Sequence, residues 1–405
     1  MKTSLWRVAT VVAVLSLCVV AHAAPKYRVL HAFGGGKDGG GLWDSLIIDL
    51  KGHIYGTTSG GGSYGYGAVF QLTPHDNGGW TEKIIHSFDF HKEGAVPTGS
   101  LVLDPAGQLY ATAAHDGAHD GGDVFAMTRG IDGWKETVIY SFGDNQGDGG
   151  DPYAGLIRDQ AGNLYGTTPY GGTNEGTVFQ LQPTSQGWNE MPLYSFCSKA
   201  KCIDGDGAFA GLILDTARNL YGTTESGGAY GGGTVYEVER TATGWKEKVL
   251  HSFVLNYKDG HTPGVGALIM DGAGNLYGTT AGGGCCGGVV FKLTPGSGGH
   301  WTETILYTFR GGASGFEPGA GVVMDKAGNL YGTTIAGGSG CGCGVVYELS
   351  PNAKGKWKYT VLHTFLGSDG AQPDANLILD DKGNLYGTIA TGGANGGGVV
   401  FELTP

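Results

Sequence analysis

A tyrosine repeated seven times limits what this chain can become more than any other feature of its sequence. The core Asn-Leu-Tyr-Gly-Thr-Thr, or a close variant of it, recurs around Tyr55, Tyr110, Tyr165, Tyr221, Tyr277, Tyr331 and Tyr386, spaced 54 to 56 residues apart. A fixed period of that length signals a repeat architecture whose units bury their apolar faces only against one another. Each unit holds four short runs of apolar and β-branched residues. In the sixth they are Gly321 to Asp325, Asn329 to Thr334, Val345 to Leu349 and Trp357 to Phe365, bracketed by Gly, Asp, Asn or Pro. No helical periodicity follows the first 23 residues. Four strands, seven times over, predict an all-β fold, a seven-bladed β-propeller with four antiparallel strands per blade. A β-helix or leucine-rich solenoid would need shorter repeats with one or two strands each.

Polarity sets the phase of the blades. The Gly-Leu-Ile-Leu-Asp run is apolar on both faces and suits the innermost strand, whereas Trp245 to His251 interleaves charges and suits the outermost. The repeats begin with an outer-type run, Tyr27 to Phe33, and finish with a third-position run, Val399 to Leu403. The N-terminal strand is therefore expected to complete the last blade, a 3+1 closure. The alternative makes each unit its own blade. Between the first two strands lies an Asp-x-x-Gly turn with Asp at 49, 104, 159, 215, 271, 325 and 380, where only Arg218 displaces the glycine. These aspartates are read as turn formers rather than catalysts. Trp80, Trp134, Trp188, Trp245, Trp301 and Trp357 recur at the outer-strand start and are expected to pack blades.

Residues 1–23 read as a secretory signal: Lys2 and Arg7, the apolar Val11 to Val20, and Ala21-His22-Ala23 as a cleavage site. Leu17 directly before Cys18 argues against lipid attachment. Residues 24–405 are then one domain, expected as a secreted monomer in the periplasm or medium, with no later apolar run near the roughly 18 residues of a membrane helix. After cleavage, 23 basic side chains face 37 acidic ones, a formal charge of −14, which argues against nucleic acid as a partner. The 80 glycines fall at fixed repeat positions, which removes low complexity as an explanation of their number.

The motif Gly162 to Thr168, followed by Gly171-Gly172 and Gly176 to Phe179, resembles the bacterial GloVer (Gloeo/Verruco) tandem repeat, and the likeness runs through the chain after residue 23. It implies an exported or surface-anchored repeat protein with no assigned activity. The chain stops at Thr404-Pro405 without the sorting segment that family members often carry. More distantly, the Asp-x-x-Gly-Asn-Leu-Tyr turn is similar to turns of NHL-type and gluconolactonase-type propellers, several of which bind metals, glycans or proteins. Fold alone does not transfer those functions.

Two loop sets share one face, and any site is expected there. The loops into the innermost strands carry Asp38, Glu93, Asp148, Asp204, Asp259 and Asp369, each followed by glycine, with Ser314 in the remaining copy. These carboxylates would form an acidic ring at the channel mouth able to attract Ca²⁺ or a cationic ligand. Alternatively, Asp-Gly only turns the chain, with a proline four residues later in five copies. The second unit breaks the template with Tyr110-Ala111-Thr112-Ala113 and a loop holding His115, Asp116, His119 and Asp120. Together with His91 and Glu93 these are candidate ligands for Zn²⁺ or another divalent metal. Polar loops can equally be just solvated.

His31, His86, His251 and His363 alternate with Tyr140, Tyr194 and Tyr307 at outer-strand ends, which indicates a shared packing or hydrogen-bonding role. Six cysteines remain after cleavage. Cys197 and Cys202 are expected to pair, whereas Cys285, Cys286, Cys341 and Cys343 allow bridges within loops or between blades. No nucleophile elbow, His-Glu-x-x-His or phosphate-binding loop is present. The expected function is a binding module for a glycan, peptide or surface partner. The competing one is a divalent-metal-dependent hydrolase, lactonase or lyase in which metal-bound water attacks and Glu93 or Asp116 serves as base. A structural spacer is the third.

Overall fold

The computed structural model describes residues 24–90, 94–143, 147–173, 175–256, 258–264, 266–285 and 287–405. Seven four-stranded antiparallel sheets stand in a ring, each running from a two-residue inner strand to a long outer one. Blade 6, for example, consists of Val323–Met324, Leu330–Thr334, Val345–Pro351 and Trp357–Thr364. Its inner strand is shorter than the expected run from Gly321, where a Cβ would come 2.5 Å from the Ala267 carbonyl. In blades 2 and 5 the loop segments Gly94–Pro97 and Gly260–Pro263 add a short fifth strand. The closure is 3+1: Lys26–Ala32 pairs antiparallel with Val399–Thr404, with Tyr27 opposite Leu403, and so supplies the outer strand of blade 7.

The Asp-x-x-Gly turn is held by its own aspartate. Asp325 accepts the Ala327 and Asn329 N–H groups through Oδ1, and the Asn329 amide and Tyr331 hydroxyl through Oδ2. The same set recurs at Asp159 and Asp271. A carboxylate that satisfies four donors within six residues closes the hairpin, which is the turn role expected of it.

Blades adhere through aromatic rings. Each outer strand ends in a fully buried phenylalanine that meets an aromatic residue of the next blade's third strand. The pairs are Phe33–Phe70, Phe88–Phe125, Phe142–Phe179, Phe196–Tyr236, Phe253–Phe291, Phe309–Tyr347 and Phe365–Phe401, with centroids 4.8 to 5.8 Å apart. The third-strand ring also lies across the repeat glycine. A Cβ on Gly166 would come 2.5 Å from Phe179 and 2.9 Å from Leu156, so this position demands glycine by close approach. The Trp residues pack as expected, edge-on to the preceding blade's tyrosine in Tyr55–Trp134, Tyr110–Trp188 and Tyr165–Trp245.

The first threonine of the repeat joins blades at the centre. Thr112, Thr167, Thr279 and Thr388 donate across the junction to the carbonyls of Ala154, Ala210, Ala320 and Asp44, at 2.7 to 3.0 Å. Disulfides link Cys197 to Cys202, as expected, and Cys341 to Cys343 within one loop. Cys285 is exposed, and Cys286 lies outside the described residues. No helix among the described residues is long and apolar enough to cross a membrane.

Candidate functional site

The loops that enter the inner strands begin with the acidic-Gly pair. Its glycine packs against the second threonine of the repeat: a Cβ on Gly149 would fall 2.2 Å from Thr168 Oγ1. The carboxylate turns back to the outer strand it has just left. Asp148 accepts from the Tyr140 hydroxyl and Gly143 N–H, Asp204 from the Tyr194 hydroxyl and Ser198 N–H, and Asp369 from Leu366 N–H with His363 Nε2 at 2.9 Å. Asp38 meets His31 Nε2 at 3.2 Å and Gly34 N–H, and Asp259 accepts from Val254 N–H. These five carboxylates, expected around the channel mouth, therefore sit at the blade junctions, and none of them lines the central cavity. The sixth, Glu93, lies outside the described residues. The contacts also explain why His and Tyr alternate at the outer-strand end, since either ring can bond the loop aspartate.

Two residues beyond this glycine the chain crosses to the preceding blade. The N–H groups of Gly41, Val96, Asp151, Gly207, Glu317 and Gln372 bond to the carbonyls of Gly397, Tyr66, Gly121, Glu175, Gly287 and Cys343, each in the neighbouring blade. That reach forces left-handed backbone. Val96, Asp151, Thr262, Glu317 and Gln372 hold φ between 54 and 64°, although none is glycine. Such conformations cost about 1–3 kcal/mol each and gather where a site is being shaped.

Two positions further on, the repeat presents Trp43, Thr98, Tyr153, Phe209, Gly264, Gly319 and Asp374. Five of these seven equivalent residues line a central cavity of about 660 Å³, while Gly264 and Gly319 open a side groove of about 330 Å³ that Phe209 and Asp374 share. Below them the wall is aliphatic, including Ile157, Ile269, Val323 and Ile378. Tyr153 and Phe209 lie 5.9 Å apart, and the exposed Tyr170 stands edge-on to Phe209 at 5.8 Å. Most polar atoms at this rim bond to neighbours: Asp44 accepts from Thr57, Ser100 from Ser45 N–H, and Asn376 from Gly321 N–H. Two do not, since Asp374 Oδ1 and Thr98 Oγ1 are buried without a protein partner. Burial, then the Glu317 carboxylate, pushes Asp374 up to about 6. Burial also lifts Asp44 well above the usual range, against the Thr57 hydrogen bond. Among the described residues no Lys or Arg side chain lines the cavity, and His115 approaches it only through Tyr153.

The second-blade candidates are spread along their loop. His115 reaches the cavity rim, with Nε2 3.2 Å from the Tyr153 hydroxyl and Nδ1 3.9 Å from Asp151. Asp116 ends the second strand opposite Gly94, and His119 and Asp120 are exposed on the following turn. His91 and Glu93 fall outside the described residues. Among the described residues, three possible metal donors converge only at His31, Asp38, Glu82 and at His251, Asp259, Glu303, not in the second-blade loop. Its departure from the template has a structural counterpart: Ala113 faces Asp123, whose carboxylate accepts the Gly94 N–H, where blade 3 pairs Thr168 with Thr177.

A family model described as the Gloeobacter/Verrucomicrobia repeat matches residues 17–147, 131–338 and 285–405. No curated protein matches the sequence. Among solved structures, a provisionally named 6-phosphogluconolactonase from Bacteroides uniformis is 12% identical over 83% of this chain and 90% of its own, with a TM-score of 0.53. A provisionally named oxidoreductase (glucose dehydrogenase) from Thermus thermophilus is 16% identical over 76% of this chain and 96% of its own, with a TM-score of 0.46. At 12% identity the likeness to the Bacteroides structure is one of fold.

Proposed function

The chain belongs to the Gloeobacter/Verrucomicrobia repeat family, and we propose that it is an exported binding module whose central cavity and aromatic rim take a neutral, hydroxyl-rich glycan. One observation carries this reading. Every exposed Trp, Tyr and Phe among the described residues, namely Trp43, Tyr64, Tyr66, Phe90, Tyr170, Tyr230 and Phe316, belongs to the loops of one face, the face on which the cavity opens. The opposite face exposes aliphatic turn residues such as Leu50 and Ile131.

Flat aromatic faces stack on the C–H faces of sugar rings, and a few convergent polar atoms fix orientation inside an otherwise apolar pocket. Asp374 and Thr98 line this cavity and bring polar side chains that a sugar hydroxyl could bond. A phosphorylated substrate, as in the name of the Bacteroides neighbour, would favour a Lys or Arg that the described lining does not supply. Calorimetric titration with neutral oligosaccharides tests the reading. Trp43→Ala and Phe209→Ala should each weaken binding about tenfold, and Ile131→Ser on the far face should leave it unchanged. Absence of binding across the panel, or undiminished affinity in both aromatic variants, would defeat it. Turnover of a bound oligosaccharide would mark an enzyme instead.

A further inference from the structure

Among the described residues, neighbouring blades meet at one repeated contact. It joins the His or Tyr of an outer-strand end, the loop residue before glycine, and the third residue of the next blade's outer strand. Where loop residue and third residue are both acidic, two carboxylates face each other across a poorly hydrated seam, which needs compensation. Between blades 2 and 3 burial and Asp148 push Glu190 up to about 7, and elsewhere the molecule shows two structural remedies. In one, tyrosine replaces the glutamate: Tyr359 stacks on Tyr307 at 4.1 Å, and Tyr27 on His363 at 3.9 Å. In the other, a cation is built in, for Lys199 Nζ bonds Glu247 Oε2 at 2.5 Å beside Asp204.

Neither remedy is used between blades 4 and 5. There His251, Asp259 and Glu303 bring one donor atom each within 4.8 Å of the others. His251 Nε2 is buried without a hydrogen-bond partner 3.8 Å from Glu303 Oε2, and the Asp259 and Glu303 carboxyls lie close enough to share a proton. His31, Asp38 and Glu82 repeat the donor set between blades 7 and 1, where Glu82 Oε1 is likewise buried without a partner.

We propose that His251, Asp259 and Glu303 bind a divalent cation of the zinc class that staples blade 4 to blade 5, and that His31, Asp38 and Glu82 form a second such site. One imidazole and two carboxylates are a zinc donor set, and bond lengths of about 2.0–2.2 Å put tetrahedral donors about 3.4 Å apart, so binding would draw together donors that now lie within 4.8 Å of one another. The cation does for these seams what the Lys199 ammonium does for its own.

The test is calorimetric titration of the EDTA-treated mature chain with ZnCl₂, supported by the visible spectrum after Co²⁺ loading. Two equivalents are expected, with zinc raising the melting temperature. His251→Tyr installs the residue that Tyr140, Tyr194 and Tyr307 already supply at equivalent positions, so the blade should still fold; it should remove one equivalent, and His31→Tyr the other. Glu303→Gln should match His251→Tyr. No saturable uptake, or uptake unchanged in both tyrosine variants, would overturn the proposal.

Discussion

The ring of Tyr27 lies flat on the imidazole of His363, with centroids 3.9 Å apart and planes 5° from parallel, while its hydroxyl donates to the Asp369 carbonyl at 2.7 Å. The first strand thereby grips blade 6 as well as completing blade 7. Tyr27→Ala should lower stability by about 2–4 kcal/mol in urea unfolding, and Tyr27→Phe by about 1 kcal/mol through the lost hydrogen bond. An alanine variant that unfolds like the parent would mean the seam is held elsewhere.

Gly166→Ala forces a Cβ into the ring of Phe179. The expected loss is about 1–3 kcal/mol, and Phe179→Leu in the same chain should recover part of it. Additive losses in the double variant would show that the clash is not with that ring.

Stability should fall toward alkaline pH. Burial, then the Asp148 carboxylate, pushes Glu190 from 4.5 up to about 7. The folded chain keeps a proton that the unfolded chain releases, so this contribution is complete below about 4.5 and is lost as pH rises through about 7. Glu190→Gln should flatten that slope. At the acid end the sign reverses: burial raises Asp159, but hydrogen bonds from Asn163, Tyr165 and Ala161 outweigh it and hold the group below 3.8. Its contribution is present above 3.8 and lost as pH falls through the lower folded value. Unfolding free energies of Glu190→Gln and Asp159→Asn across pH check each limb.

The Cys197–Cys202 bridge closes a loop in which Cys197, Lys201 and Cys202 all take left-handed backbone, and from which Lys199 reaches the fully buried Glu247 side chain. Replacing both cysteines by serine should cost about 2 kcal/mol by loop entropy. It should also shrink the penalty of Lys199→Ala, because the ammonium is no longer held in place. A double-mutant cycle measures that coupling.

If Asp374 accepts a ligand hydroxyl, affinity should rise between about pH 5 and 7.5 as it ionises. Asp374→Asn should bind more weakly at the upper pH and lose the dependence. A pH-independent parent protein would place the acceptor elsewhere.

Blade number, closure and the aspartate turn were legible because each is written in local, repeated chemistry: Asp325 finds its four donors within six residues. The ring of buried phenylalanines is written in the sequence as a His/Tyr-x-Phe spacing, with Phe253 two residues beyond His251. What stayed hidden depends on direction. Loop length cannot say that Asp204 points back to Tyr194 rather than inward. The cavity rim was missed for a related reason: Trp43, Phe209 and Asp374 share a repeat position but no chemistry, so likeness between units does not single them out. The departures around Ala113 stood out, yet Asp123 shows that part of them is a local exchange of partners.

The left-handed crossing residues carry one more consequence. At Gly41, Val96, Asp151, Gly207, Glu317 and Gln372 the bond to the preceding blade is made by the main-chain N–H, whatever side chain stands there. Stations such as Val96, Glu317 and Gln372 can thus be rewritten one at a time, much as type is reset in a fixed frame, and the same wheel can be turned to new cargo without recasting its spokes.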